Sequence, residues 1–340
     1  MPSKSVKSFI THSNYLRAFA RLTDNQSTSV DRDIYELLKE RILQADALPQ
    51  RHQGMVDLLQ VAACLHTAWG TEAILLASQT IDEEGLIRLS NNWSVIQVYY
   101  ILYHCIQALH VAKGHPRPQS HPASQNLFYD YWSARTICLP PWSLAFGVDG
   151  ARNFPTGHQP DVSIHPWSSC TGNHIYDLAL KALMTTRREA LSEKRHERRI
   201  QKQKQNRGSW REEEEDRISR GRQPRRVPDF PLPILTRQEK RHVDEDFRPY
   251  TIMDYLYRLR IKTNYEDSNM FTDGPEDDLS SRQIRNELCL IASGTLFLHE
   301  LAIFSLVDRP TFLSCIDEWI RRNSLQGATQ GVAVRRRHFI

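Results

Sequence analysis

The stretch from Trp93 to Phe128 limits the possible folds of this chain more than any other part of the sequence. Gly114 can take the left-handed conformation that ends a helix, and Pro116 and Pro118 prevent the helix from continuing. Before this turn, apolar residues recur at steps of three and four, which is the spacing of one buried helical face. They are Val95, Tyr99, Leu102, Tyr103, Ile106 and Leu109. The sequence therefore predicts a long, aromatic-rich core helix followed by a polar turn.

The composition favours a helical architecture. The chain has 340 residues, of which 40% are hydrophobic, so it can bury a sizeable core. Its 14 glycines are few for a β fold with many turns. The formal net charge of +4 is small, so the total charge alone indicates no partner. We expect an all-α fold.

The cysteines indicate a reducing compartment. The six cysteines are scattered without a close pair, and Cys64, Cys105 and Cys289 lie within apolar helical runs. This pattern is not that of a disulfide framework. The first residues lack the apolar core of a signal peptide, and no uncharged run approaches the ~20 apolar residues that span a bilayer. We expect a cytoplasmic protein that does not bind a membrane.

Several helix boundaries follow from local signals. Ser29 or Asp31 can cap a helix that begins near Ile34. A second helical region runs from about residue 55 to residue 78, with Gly70 as a predicted break. The segment 90–92 is a plausible cap for the helix of Trp93. Residues 127–173 are rich in Pro, Gly and aromatic residues, so they are predicted to form an ordered, irregular segment.

The segment 187–226 differs from the rest of the chain in its charge. It contains fifteen Lys or Arg against eight Asp or Glu, and few apolar residues interrupt it. Such a segment cannot bury a core face. We expect a projecting helix that frays into a flexible loop, closed by the stiff, extended linker 228–233. The basic tail from Arg335 to His338 is expected to be disordered.

Two separated segments resemble the HEPN domains, a family of small helical bundles. The first carries a Tyr99-Tyr100-x-x-x-His104 run, a Lys-Gly turn and a Ser-His pair that ends at His121. The second is the arginine-containing run 256–267, followed by the apolar helix 281–306. The resemblance implies a HEPN-like bundle with core halves 91–128 and 250–322. Residues 1–90 would be added N-terminal helices, 129–249 an insertion with an irregular part and a charged arm, and 323–340 a basic tail.

The resemblance also implies a function. Many HEPN domains cleave RNA or partner a nucleotidyltransferase-like toxin or antitoxin, and the ribonucleases use an Arg, a spacer of four to six residues and a His. Here a tyrosine replaces that histidine. A histidine from the neighbouring helix could then supply the base. The implied catalytic residues, which need no metal or other cofactor, are Arg258, Arg260, Tyr265, His104 and His121. The resemblance further implies a homodimer with a role in toxin–antitoxin systems, stress or antiviral defence.

The same residues allow a non-catalytic interpretation. Tyr255, Tyr257 and Tyr265 could be core residues, and the two arginines could be solvated or paired with Asp254 and Glu266. The protein would then be a helical adaptor that binds a partner protein and uses its basic arm to reach nucleic acid. Both interpretations stay open on the sequence alone.

Two further groups of polar residues could bind ligands. The arm offers seven cations for RNA phosphates, namely Arg195, Arg198, Arg199, Lys202, Lys204, Arg225 and Arg226. A solvated helix with pairs one turn apart, such as those of Glu189 and Glu193, explains the same charges. His158, His165, Cys170 and His174 could converge on zinc, but their spacings lack a tight ligand pair. We therefore predict no metal site and interpret them as polar loop residues.

Overall fold

The computed structural model describes residues 3–24, 33–49, 56–80, 83–275, 277–323 and 330–339. It is 71% helical with one very small sheet, which confirms the all-α fold class. The helices are α1 (Lys4–Thr23), α2 (Ile34–Gln44), α3 (Leu58–Ala77), α4 (Glu84–Ala112), α5 (His121–Phe128), α6 (His174–Ser219), α7 (Arg237–Glu245), α8 (Ile252–Ile261), α9 (Met270–Asp273), α10 (Asp278–Leu306), α11 (Arg309–Arg322) and α12 (Gln330–Arg336).

The centre of the bundle is the pair α4 and α10. Helix α3 packs on α4 from one side and α8 from another, while α1 packs on α10 and on the first turns of α6. The apolar face predicted for the Trp93 helix is buried as expected, with Tyr99, Leu102 and Ile106 fully enclosed. The expectation that no apolar run approaches the length of a membrane span is wrong, because residues 85–112 and 279–306 are long and apolar enough to cross a membrane. They are mostly buried here, as core helices are.

The irregular segment predicted for residues 127–173 packs against α10, where Trp142 Nε1 donates to Thr295 Oγ1 at 2.9 Å. It continues α5 with the π-helical turn Tyr129–Ser133. A short antiparallel hairpin then pairs β1 (Ala145–Gly147) with β2 (Gly150–Arg152), and a bridge from Phe146 reaches Tyr250. The segment therefore connects the first helices of the bundle to α8 through backbone hydrogen bonds.

Two predicted helix boundaries are wrong. Helix α3 passes through Gly70 without a break. Helix α4 begins at Glu84 and runs through the proposed cap at 90–92, because Asn91 and Asn92 donate side-chain hydrogen bonds to the carbonyls of Ser281 and Ser268. The cap of α2 is Asp33. The alternative caps, Ser29 and Asp31, lie outside the described residues.

The charged segment is an ordered arm, so the flexible-loop prediction is wrong. Helix α6 continues for 46 residues, a length of about 70 Å. The chain then returns along it, with Arg199 Nε donating to the Pro233 carbonyl at 2.8 Å and Trp210 packing edge-on against Phe230. These contacts compensate for the small number of apolar residues that led to the prediction.

The C-terminal tail is folded over residues 330–339, where disorder was predicted. Arg335 is fully buried and forms ion pairs with Glu72 and Glu300. Gly331 allows this approach, because a Cβ there would lie 2.9 Å from the Leu76 side chain. The buried Arg335 side chain holds this segment in the fold, and its partners are more than 30 residues away in sequence.

Candidate functional site

Helix α8 is fixed at its start by a charged cap. Asp254 accepts hydrogen bonds from the backbone and the side chain of Thr251, at 2.8 and 3.0 Å, and forms an ion pair with Arg248. This anchoring sets the rotation of the helix. Tyr257 and Arg260, three residues apart, share the side that faces α4. Arg258, on a different side, faces α6.

Four tyrosine side chains lie close together where α8 crosses α4. These four tyrosines and His121 are called the tyrosine site, and the tyrosines are Tyr99, Tyr100, Tyr103 and Tyr257. Tyr257 lies 5.4 Å from Tyr99, and Tyr103 stacks on Tyr99 at 6.1 Å. Tyr100 completes the group beside Tyr99 and Tyr103. The site therefore joins the two segments that the sequence analysis expected to pack together.

Arg260 lies over the tyrosine rings without a carboxylate partner. Its guanidinium carbon is 5.4 Å from the ring centre of Tyr99, 5.1 Å from that of Tyr100 and 5.6 Å from that of Tyr257. Among the described residues, none forms an ion pair or hydrogen bond with the side chain of Arg260, and its Nε is buried without a partner. Aromatic faces attract a cation but leave its N–H groups unsatisfied. The side chain is thus equipped to bind an anion from outside.

His121 belongs to the same site and is held by Tyr99. Ser120 caps α5, with its Oγ accepting from the Ala123 N–H at 3.3 Å, and so places His121 in the first turn. The Nδ1 of His121 is 2.7 Å from the Tyr99 hydroxyl, and its ring lies 4.8 Å from Tyr103. Burial, and then the nearby Arg260 charge, lower the His121 pKa below its ordinary value. The imidazole is therefore neutral at neutral pH.

The turn between α4 and α5 adds a second arginine. Gly114 has a φ of 82° and ends α4, as predicted. Gln107 then holds the turn, donating to the Pro118 carbonyl at 2.9 Å and accepting from Arg117 Nε at 3.1 Å. No carboxylate in the described part of the chain forms an ion pair with Arg117. Arg117 is therefore a second arginine without an acidic partner, and it lies on the side of α4 that carries His104 and Gln107.

His104 lies on the α4 side of the site. Its ring stacks on Tyr100 at 6.3 Å, and its Nδ1 is buried without a hydrogen-bond partner. Burial, followed by the Arg117 charge, lowers the His104 pKa to about 4. A neutral His104 can accept or donate one hydrogen bond to a ligand, but it holds no proton to deliver as an acid near pH 7.

Arg258 is paired with carboxylates, as the non-catalytic interpretation expects. It forms ion pairs with Glu189 at 3.3 Å, with Glu193 at 3.0 Å and with Glu266 at 2.9 Å. Burial alone would lower the Arg258 pKa, but these carboxylates raise it above its ordinary value. The expected pairing with Glu266 is thus present, whereas Asp254 pairs with Arg248 instead.

Tyr265 lies outside the tyrosine site. It follows α8 in the π-helical turn Lys262–Glu266, with 77% of its surface exposed, and packs against no ring among the described residues. The structure therefore brings together Arg260, His121 and His104 from the predicted catalytic set, and leaves Arg258 and Tyr265 apart.

Most of the cations predicted to bind nucleic acid hold the arm together. Arg195 pairs with Asp244, Lys202 with Glu239 and Arg225 with Glu214. Arg198 donates to Gln201 and Arg199 to backbone carbonyls. Only Lys204 and Arg226 of the seven have no ion pair or side-chain hydrogen bond within the described ranges, and both are exposed. Two of these seven cations are therefore free to bind an external polyanion.

The four candidate zinc ligands do not form a cluster. His158 Nε2 contacts the Asp177 carboxylate at 3.1 Å, and His165 Nδ1 accepts from the Trp167 backbone N–H at 3.2 Å. No group of three or more metal-binding side chains occurs in the part of the chain that the structure describes. These residues act as polar loop contacts in the segment that leads into α6.

Tyr103 and Tyr257 belong to the site but were not predicted as site residues, and neither was Arg117 beside His104. Arg117 stands in the same turn as the residues that carried the resemblance, so the Lys-Gly-His-Pro-Arg-Pro motif contained the signal. The tyrosines were assigned to the core because their spacing matches a buried helical face. Only the crossing of α4 and α8 shows that their rings surround an arginine.

Comparison with known protein families, with curated proteins and with solved structures finds no match.

Proposed function

We propose that this protein is a HEPN-like, RNA-directed protein that cleaves RNA without a metal ion at the tyrosine site. The observation that supports the proposal most is the position of Arg260, a half-buried guanidinium beside His121 with tyrosine rings in place of acidic partners. An arginine in such a place favours a phosphate, whose oxygens match the planar fork of N–H donors. The Arg117 charge near His104 adds to this preference.

The cleavage step requires only groups of the site and the RNA. His121 accepts the proton of the ribose 2′-hydroxyl on Nε2 when Nδ1 carries the proton that faces Tyr99. The 2′-oxygen attacks phosphorus, and Arg260 stabilises the negative charge of the phosphorane. The bond from phosphorus to the 5′-oxygen then breaks, and the proton passes from His121 to that oxygen. The products are a 2′,3′-cyclic phosphate and a 5′-hydroxyl.

Tyr99 has a positioning role in this proposal. Burial raises the pKa of Tyr99 well above its ordinary value, so its hydroxyl stays protonated and fixes the His121 ring through the 2.7 Å hydrogen bond. A phenol of this kind is a poor proton donor near pH 7. We therefore place the proton transfer on His121 rather than on a tyrosine, and exposed Tyr265 takes no part in it.

The test is incubation of the purified protein with total RNA and with tRNA in EDTA. The wild type is expected to cut RNA to products with cyclic phosphate ends, whereas Arg260→Ala and His121→Ala leave it intact. Arg241→Ala, which removes an exposed arginine of α7, is the matched control and should cut like the wild type. Intact RNA in every sample, together with no toxicity on expression, would overturn the proposal.

A second function is favoured by the carboxylates around Arg258 and by exposed leucines on α4. Leu86 and Leu89 are 46% and 57% exposed on one side of this helix. An apolar helical surface of this kind can bind a partner protein or a second copy of the chain. A catalytically silent adaptor would bind RNA or its partner with the site intact and cut nothing. As part of the same proposals, we place the protein in the cytoplasm, as a homodimer of the toxin or defence class.

A further inference from the structure

The exposed side of α4 continues from the tyrosine site towards the start of the helix. Trp93, Tyr100 and His104 are separated by seven and four residues, so they project from the same side of α4. Trp93 is 66% exposed, the largest exposed fraction of any described tryptophan. Leu89 lies one turn before it. An apolar stripe therefore leads directly into the place where Arg260 contacts Tyr100.

The turn that carries Tyr265 lies beside the same half of α4. Asn92, next to Trp93, donates a hydrogen bond of 2.5 Å to the carbonyl of Ser268, three residues after Tyr265. Two exposed aromatic side chains, Trp93 and Tyr265, therefore occur at this end of the tyrosine site. The acidic neighbour of Tyr265, Glu266, is neutralised by Arg258.

We infer that Trp93 and Tyr265 stack on the bases of a single-stranded RNA whose phosphate lies at Arg260. This inference depends on the proposed function. Proteins that bind single strands combine exposed aromatic rings with cations that follow the backbone. Here the cations are Arg260 and Arg117, and neither has a carboxylate partner among the described residues. Trp93 and Tyr100 are about 10 Å apart along the helix, which is about three nucleotide steps of about 3.4 Å.

Single-stranded RNA fits this surface better than a duplex or a protein helix. A duplex hides the faces of its bases, so an exposed indole has nothing on which to stack. A protein helix would match the leucines but would leave the two arginines at the end of the stripe without anionic partners. Exposed aromatic rings beside arginines that have no carboxylate partner match a ligand that alternates flat apolar groups with phosphates.

The test compares a long ligand with a short one. A fluorescent 2′-O-methyl decanucleotide, which cannot be cleaved by attack of the 2′-oxygen, measures binding by anisotropy. A dinucleoside monophosphate, too short to reach Trp93 from Arg260, measures cleavage. Trp93→Ala should bind the decanucleotide about tenfold more weakly and cut the dinucleotide like the wild type. Tyr265→Ala should weaken decanucleotide binding several-fold, and Trp93→Phe should restore most of the affinity that Trp93→Ala loses.

Trp167→Ala is the matched control, because Trp167 is also exposed but lies near α1, where it donates a hydrogen bond to Thr11. It should bind like the wild type. Equal decanucleotide affinity of Trp93→Ala and wild type would overturn the inference while leaving cleavage at Arg260 intact. Failure of the wild type to bind or cut any RNA would overturn the proposed function as well. If Trp93→Ala separates a dimer in sedimentation and leaves RNA affinity unchanged, the stripe is a protein interface and the inference is wrong.

Discussion

Arg335 and Arg260 are stabilised by the same bundle in opposite ways. Arg335 is fully enclosed between Glu72 and Glu300, and Trp69 and Ser293 donate further hydrogen bonds to these carboxylates. Arg260 is half-buried against tyrosine rings and has no acidic partner among the described residues. The first site is complete within the chain, whereas the second leaves a positive charge unneutralised. This difference separates an arginine that holds the fold from one that is available to a ligand.

The largest expected effect concerns the complete site. Arg335→Met should lower the free energy of unfolding by about 3–5 kcal/mol, because it leaves two buried carboxylates without their cation. Urea unfolding measures the loss. Arg336→Ala is the control, since Arg336 pairs with Asp317 at the surface, and it should cost less than about 1 kcal/mol. Equal stability of the two variants would show that the buried network is not the anchor of α12.

The second effect concerns catalysis at the incomplete site. Arg260→Ala should lower the rate of RNA cleavage by about 10²–10³-fold, because the phosphorane loses its cation, and should change the unfolding free energy much less than Arg335→Met. Single-turnover cleavage and urea unfolding measure the two quantities. Arg258→Ala, two residues away, should show the reverse pattern, with a stability loss of about 1 kcal/mol and little change in rate. If Arg258→Ala lowered the cleavage rate as much as Arg260→Ala, the assignment of a structural role to Arg258 and a catalytic role to Arg260 would be wrong.

The third effect is a difference in the His121 pKa between the wild type and Arg260→Gln. In the folded protein, burial and the Arg260 charge both disfavour the protonated imidazole of His121 and lower its pKa. Removing the charge in Arg260→Gln should therefore raise the His121 pKa. NMR titration of the histidine ring protons measures it, with Arg241→Ala as the control. A pKa that falls or stays unchanged would mean that Arg260 does not act on His121.

The lowered His121 pKa also makes the stability and the cleavage activity of the protein depend on pH. A histidine whose folded pKa is lowered binds fewer protons in the folded than in the unfolded state below pH 6.5. The His121 contribution to stability should thus be present in full above pH 6.5 and decline as the pH falls through the folded pKa. Cleavage needs neutral His121, so it should continue somewhat below pH 6.5 in the wild type. In a variant with a raised His121 pKa, such as Arg260→Gln, the remaining cleavage should stop at a higher pH than in the wild type.

The smallest effect concerns the arm. Replacing Lys204 and Arg226 together by Ala should weaken RNA binding only about two- to threefold and reduce the slope of log affinity against log salt by about one to two. Anisotropy titrations at several salt concentrations measure both. The Arg195→Ala variant removes a cation that is already paired with Asp244, so it is the matched control. Identical salt slopes in all three proteins would show that Lys204 and Arg226 do not contact RNA.

The helical parts of the fold could be predicted from the sequence because their information is local. The face of α4 containing Tyr99 and Leu102 follows from residue spacing, and the end of α4 follows from Gly114. The errors occurred where distant residues decide the structure. Gly70 breaks nothing because α3 packs along α4, and the arm is ordered by a return segment that contacts it across more than 20 residues.

Only part of the site could be predicted from the sequence, because the rest depends on contacts between distant residues. Arg260, His104 and His121 were selected through a resemblance, and the crossing of α4 and α8 brings them together. Arg258 was selected with equal weight, since a sequence shows two arginines two residues apart and not which side of the helix faces Glu189. Trp93 and Arg117 were missed because exposure of a side chain and absence of a partner are properties of the folded chain.

The most direct test of the central claim is the affinity of a non-cleavable 2′-O-methyl oligoribonucleotide for the wild type and for Arg260→Ala at one fixed salt concentration. Arg260→Ala is expected to bind at least tenfold more weakly, while Arg336→Ala, which removes a surface arginine of α12, should bind like the wild type. Equal affinity of the wild type and Arg260→Ala would contradict this claim, because an arginine left without acidic partners would then have no anion to bind.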